Sequence, residues 1–254
     1  MNKYHSEILE AIKSLSGKPT QHTLLDSYLG NSHPKYPINN PTLRSIARER
    51  SRSHRQLSAT EFQKVLDSLI HGKSSTEKCM SGILLDVCAK DQRKFNPNCF
   101  DEWLDQLVGW VEIDTLCTGA YSKTEVPSNW KVWNKLLLKF SKSKNISKRR
   151  ASLVLLCSPM RKVADERLAK VALANINQLK HEREILITKA ISWLLRSMVK
   201  HHRKNVEKYL NENKESLPRI AVRETLTVLT TGKKTKSKLQ NQIGLAINLH
   251  WRLP

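Results

Sequence analysis

Negative charge is scarce in this chain. Its 254 residues carry 23 Asp+Glu against 44 Lys+Arg, a formal net charge of +21. The sequence pI is near 9.9. A field of that sign attracts nucleic acid or an anionic membrane surface, although charge alone does not choose between them, and ribosome-associated or purely structural proteins are equally basic. Long apolar runs are also missing. No stretch approaches the ~20 residues a membrane helix needs, and the N-terminal MNKYHSEILEAIKSL is a charged amphipathic helix without a signal-peptide core. A soluble, cytoplasmic protein is therefore expected, nucleoid-associated if bacterial. The five cysteines, Cys79, Cys88, Cys99, Cys117 and Cys157, form no CxxC pair and have no histidine at ligand spacing. Neither a disulfide framework nor a zinc site is supported, which leaves buried free thiols in a reducing compartment. No metal site is expected. Finally, there is no series of alternating strands and no Asn-Gly hairpin turn, so the fold class is all-α.

What remains is helical patterning from end to end, with 39% hydrophobic residues to fill a core. Ser58-Ala-Thr-Glu61 has the form of a capping box that opens a helix through Phe62, Val65, Leu66 and Leu69 to His71-Gly72. A helix follows through Ile83, Leu84 and Val87, and others are expected at about 100–121, 129–141, 147–157, 160–175, 181–203, 203–213 and 215–230. Breaks are expected at Pro127-Ser128, Ser143-Lys144-Asn145 and Ser158-Pro159. Pro34, Pro37 and Pro41 make LGNSHPKYPINNP, from Leu29, an irregular loop. Paired helices with short connections suggest stacked helical repeats, although self-similarity between the pairs is weak. Near the C-terminus the cationic run Lys233–Lys238 reads as a solvated loop or a phosphate-attracting arm.

The segment KAISWLLRSMVKHHR carries the strongest functional signal. Ile187, Ile191, Leu194 and Met198 follow a four-three-four spacing and form one apolar stripe, which belongs against a neighbouring helix. Lys189, Trp193, Arg196, Lys200 and Arg203 repeat that spacing two residues out of phase, roughly 200° around the helix. An indole among four cations suits a polyanion bearing stacked or cationic bases; the plainer reading puts Trp193 on the edge of the apolar stripe with solubilising neighbours. Upstream, DEWLDQLVGWVEIDTLC puts Trp103, Trp110 and Asp114 on one stripe by spacings of seven and four, beside a core face of Leu104, Leu107, Val108 and Val111. An isolated helical Asp is ordinarily solvated or paired with a cation. The helix after Asn145 begins Ser147-Lys-Arg-Arg150 and continues ASLVLLC, apolar on every side, as an interior helix would. Cations in a first turn forgo roughly 0.3–1 kcal/mol of favourable dipole interaction, so Arg149 and Arg150 look placed for an anion, either a phosphate or an acidic side chain.

These elements, Trp110-Val-Glu-Ile-Asp114-Thr, Arg149-Arg150-Ala and Lys189-Ala-Ile-Ser-Trp193-Leu-Leu-Arg196, stand in the order and at about the separations of the AlkD-like DNA alkylation-repair glycosylases. The loop SYLGNSHPKYPINNPTLR resembles that family's N-terminal loop, with Tyr28 in the place of its active-site tyrosine. The resemblance runs from about Tyr28 to about Leu229. It implies a single domain over 1–254, a curved superhelix of HEAT-like repeats whose basic concave face holds duplex DNA; a monomer is the default expectation. It also implies hydrolysis of the glycosidic bond of cationic alkylpurines such as 3-methyladenine and 7-methylguanine, without a cofactor and without a deep base pocket. By the same resemblance Asp114, Trp110 and Trp193 form the catalytic cleft, Tyr28 lies beside it, and Arg150 and Arg196 contact the DNA backbone. Arg149, Lys189, Lys200 and Arg203 extend that basic surface. Departures are Ile146, where the family often has Trp, and His201-His202 after the Trp193 helix; they bear on substrate range and DNA grip. The alternatives are a non-catalytic repeat protein that binds bent or branched DNA, and a repeat scaffold for an acidic protein.

Overall fold

The structure, a computed structural model, describes residues 1–20 and 30–234. Tyr28, most of the basic run after Lys234 and the apolar ending at Trp251 lie outside the described residues. Among those described there are twelve α-helices and no strand beyond an isolated bridge between Thr20 and Lys35. The helices are α1 (Lys3–Ser16), α2 (Asn40–Ser53), α3 (Ala59–Ile70), α4 (Ser75–Val87), α5 (Cys99–Trp103), α6 (Gly109–Cys117), α7 (Ala120–Ser128), α8 (Trp130–Ser141), α9 (Ile146–Met160), α10 (Glu166–Leu179), α11 (Ile185–Asn213) and α12 (Arg219–Thr231). None among the described residues is long and apolar enough to cross a membrane. All five cysteines are free.

Local sequence explains many of the starts. The Ser58–Glu61 capping box is formed in both directions at α3, and a second one, Ser74–Glu77, opens α4. Helices α3, α8 and α10 bury one face each, whereas α9 is buried along its whole length from Arg150 to Met160. It packs against α6, α7, α8, α10 and α11 and is the central strut of the C-terminal two thirds. The loop after Gly30 lies across the starts of α4 and α6. Ser75 N donates to the Pro34 carbonyl at 2.8 Å, Tyr36 N to Thr76 Oγ1 at 2.9 Å, and His33 Nδ1 lies 3.0 Å from Glu112 Oε1.

The stack has a numerical register. Trp103 bonds to Asp67, Arg150 to Asp114 and to the Leu186 carbonyl, Arg161 to Ser197 and His202 to Glu166, each across a separation of 36 residues. One element therefore sits on the equivalent element of the preceding layer, as in tandem helical repeats.

Two sequence expectations are corrected. The helix expected over 100–121 is three elements, because Gly109 and Gly119 take φ of 76° and 92°, in the left-handed region that interrupts a helix. Trp103 therefore leaves the Trp110–Asp114 stripe; it is fully buried, its ring tilted against Phe95 and Phe100, with Nε1 donating to Asp67 at 3.1 Å. Ser158-Pro159 does not break its helix. Pro159 sits in the last turn of α9, and the next helix begins at Glu166 rather than at 160. The boundary expected at residue 203 is present as a kink at His202 (φ −129°, ψ 39°), where two helical segments meet within α11. The apolar stripe of Ile187, Ile191, Leu194 and Met198 is fully buried.

Candidate active site

Asp114 lies in the last turns of α6, and its position is set by the turn that precedes that helix. Glu112 is fully buried and accepts from Val108 N at 2.9 Å, closing the start of α6, while His33 holds its other side. On the neighbouring helix, the Asn145 side chain caps α9 through Ser147 N at 2.8 Å, and Ser147 Oγ donates to the Leu107 carbonyl at 2.7 Å. The first turn of α9 is thereby fastened to the residues leading into α6, which brings Arg150 onto Asp114.

The contact is bidentate. Arg150 Nε donates to Oδ1 at 2.8 Å and Nη2 to Oδ2 at 2.7 Å, and Nη1 donates to the Leu186 carbonyl on α11. The two side chains are only 13% and 5% exposed for Asp114 and Arg150 respectively. Three helices thus meet on one carboxylate. Burial pushes the Asp114 carboxyl above its ordinary value, against the pull of the Arg150 guanidinium. Beneath it Cys117 is fully buried, and its thiol is pushed well up by the same burial.

The backbones of α4 and α6 touch below this point. A Cβ built on Gly82 would come within 2.2 Å of the Thr115 carbonyl oxygen, next to Asp114. Gly82→Ala is expected to force α6 away from α4 and to lower stability by about 1–3 kcal/mol, measured by thermal or denaturant unfolding. A stability equal to the parent's would mean that the close approach does not constrain α6. On the opposite side, a Cβ on Gly30 would meet the Gly109 Cα and a Leu186 methyl, both at 3.3 Å, so the described chain re-enters beside the starts of α6 and α11.

The other expected site residues are distributed around this centre. Trp110 is half-buried, one turn before Asp114 on α6. Trp193 is half-buried on α11, two turns beyond Leu186, packed against the core and with the Arg161 guanidinium carbon 5.8 Å from its ring centroid. Arg149 lies with Nε 2.8 Å from Glu182 Oε1. Arg196, 16% exposed, points its Nε at Ser192 Oγ and Glu224 Oε2, both at 3.3 Å, and burial lowers its pKa. Arg203 pairs with Glu207 at 2.8 Å and donates to the Leu229 carbonyl. Lys189 is half-buried and Lys200 exposed. Of the two kinds of anion open at Arg149 and Arg150, a phosphate or an acidic side chain, both arginines face the acidic side chain.

Sequence reading missed four parts of this arrangement, namely Glu112 as the cap of α6, the Leu186 carbonyl, Glu224 opposite Arg196, and Arg161. Among the described residues, one group of His and carboxylates is close enough to share an ion. Asp67, His71 and Glu102 have ligand atoms within 4.8 Å of one another at the surface, and Asp67 already accepts from Trp103. A groove of about 680 Å³ between α5 and α8, bordered by Asp101, Lys131, Lys135 and Lys139, contains none of the residues around Asp114.

Comparison with known proteins gives the arrangement a context. A "predicted DNA alkylation repair enzyme" from Enterococcus faecalis has a similar structure, with a TM-score of 0.67 and 17% identity over 84% of this chain and 98% of that one. At that identity the likeness shows the fold alone. No curated protein matches significantly. The family model described as DNA alkylation repair enzyme matches residues 8–229. That span takes in α6, α9 and α11, and the chain belongs to the DNA alkylation repair enzyme family.

Proposed function

We propose that the protein is a DNA glycosylase that removes cationic N-alkylated purines, 3-methyladenine and 7-methylguanine, from duplex DNA. The observation that carries this reading is the buried carboxylate of Asp114, held by both oxygens and one turn from the half-exposed Trp110. Alkylation of a ring nitrogen leaves the purine positively charged and already a good leaving group, so little acid catalysis is needed. The C1′–N bond breaks with its electron pair leaving on the base. Positive charge then develops on the sugar, a fixed carboxylate nearby stabilises it, and water adds to C1′ with its proton passing to Asp114.

Trp110 and Trp193 supply indole faces for the deoxyribose and the charged base, each contact contributing roughly 0.5–2 kcal/mol that a neutral base does not gain in full. Selection is then by charge. Tyr28, assigned a place beside them by the family resemblance alone, lies outside the described residues. Lys189, Lys200 and Arg203, with Arg149 and Arg196 behind them, supply the basic field for the backbone, while Arg150 serves Asp114. The protein acts as a monomer and needs neither metal nor organic cofactor.

Asp114 works only as the anion. Because burial raises its pKa, base release should decline on acidification with a midpoint above the ~3.9 of a free Asp side chain. The sign for stability is opposite. A carboxyl with a raised pKa in the folded state contributes stability that is lost as pH rises through that pKa, so this group does not itself unfold the protein in acid. An acidic limb at or below the free-Asp value would contradict the assignment. The reading as a whole is tested by incubating the protein with methylated duplex DNA and analysing the soluble products. Free 3-methyladenine and 7-methylguanine with matching abasic sites are expected; duplex binding without release would leave a non-catalytic DNA-binding repeat protein.

A further inference from the structure

We infer that Arg161 binds a backbone phosphate of the duplex beside Trp193, an inference that rests on the DNA-directed reading above. Arg149, Arg150 and Arg196, the arginines nearest the site by sequence pattern, each face a carboxylate, Glu182, Asp114 and Glu224 respectively. Arg161 is exposed and has no carboxylate partner among the described residues.

Its position is nonetheless fixed. Nη1 donates to Ser197 Oγ at 3.0 Å and Nη2 approaches Ser158 Oγ at 3.5 Å, while its own carbonyl accepts from His201 Nε2 at 3.2 Å. The guanidinium carbon stands 5.8 Å from the centre of the Trp193 ring. Two neutral hydroxyls and an indole hold the group without cancelling its charge. A guanidinium has five N–H donors, so three remain for an anion, in the planar fork that suits two phosphate oxygens. This combination, a full positive charge held in place at the surface beside a half-exposed indole, matches a nucleic-acid backbone better than a protein carboxylate. An isolated acidic side chain needs no neighbouring ring, whereas a phosphate always has a sugar and a base next to it.

The layer register gives the location. Arg150 contacts Leu186 and Arg161 contacts Ser197, both across 36 residues, so α9 and α11 run side by side in the same direction. Arg161 follows Arg150 by eleven residues, ~16 Å at 1.5 Å per residue. Trp193 lies between the two levels on α11. Arg161 therefore grips DNA away from the carboxylate, and its loss acts on binding rather than on bond cleavage.

Arg167 supplies a matched control. It too stands 5.8 Å from an indole, that of Trp130, but both oxygens of Asp165 hold it. The probe is an unmodified DNA duplex titrated at several salt concentrations. Arg161→Gln should weaken binding several-fold at low salt and flatten the log–log salt slope by about one, the loss of one phosphate contact. Arg161→Lys keeps the charge and should keep the slope, and Arg167→Gln should match the parent. A slope unchanged in Arg161→Gln, or lowered equally in Arg167→Gln, overturns the inference. Because Arg161 is exposed, folding of each variant is checked by its melting curve, and Arg161→Lys against the parent reads the same contact if the Gln variant melts early; a slope lost in that charge-retaining variant also counts against it. Base release from methylated duplex by the parent separates the two ideas. Release with an unchanged Arg161→Gln slope removes Arg161 and leaves the glycosylase, and a flattened slope without release does the reverse.

Discussion

Asp114→Asn lowers base release from methylated duplex by more than tenfold, at least ~1.4 kcal/mol of transition-state stabilisation, and leaves duplex binding close to that of the parent. Asparagine keeps the shape of the side chain and one acceptor oxygen for Arg150. It removes the negative charge that offsets the developing oxocarbenium ion and the site that accepts the proton of water. Binding is retained because the phosphate contacts proposed above are made by residues other than Asp114. The variant leaves a nearly buried guanidinium without its counter-charge, so its melting temperature falls and the assay belongs well below it. The Arg150 charge, no longer neutralised, also makes any small change in affinity an increase. Equal release by variant and parent would remove Asp114 from the reaction.

Arg150→Ala has the larger structural effect. It takes away both hydrogen bonds to Asp114 and the tie to the Leu186 carbonyl, so α6, α9 and α11 lose their common joint. An unpaired carboxylate in this position costs roughly 3–5 kcal/mol of stability and responds by taking up a proton. Release is then lost together with stability, and the acidic limb of the pH profile moves up. The double variant Asp114→Asn with Arg150→Met removes both charges and should recover most of the stability with none of the activity, as unfolding curves and release assays on the same samples would show. A stable, active Arg150→Ala protein would mean that the ion pair neither holds the layers together nor positions the carboxylate.

How much of this was legible in the sequence depended on whether the deciding interaction was local. The Ser58 cap and the buried stripe of Ile187 to Met198 follow from spacings of three and four, the interior character of α9 from a run apolar on every side, and all are present. The basic stripe opposite was legible as a pattern, but not the partners of its members. Arg150 and Arg196 are matched to carboxylates 36 and 28 residues away in the chain, and nothing in the sequence of one helix names the acid on the next. The register of 36 residues was invisible for a related reason. Stacking repeats the backbone, whereas each layer fills its contacts with different side chains, here an indole on a carboxylate, there a guanidinium on a hydroxyl. Apolar periodicity carried the expected helix across Gly109 and Gly119, because a left-handed φ is set by what must fit around the glycine. Arg161 was passed over since the sequence placed it inside an expected helix over 160–175, whereas it follows the end of α9 and is held by hydroxyls of α9 and α11.

The central claim, that Asp114 makes this protein an enzyme rather than a DNA-binding repeat stack, is tested most directly by a single-turnover experiment. A duplex containing one 7-methylguanine is mixed with excess protein, and the release of the free base is followed against spontaneous depurination. The account predicts release well above the spontaneous rate with the parent and at least tenfold slower release with Asp114→Asn at saturating protein. Release at the spontaneous rate by a parent protein fully bound to the duplex would contradict it.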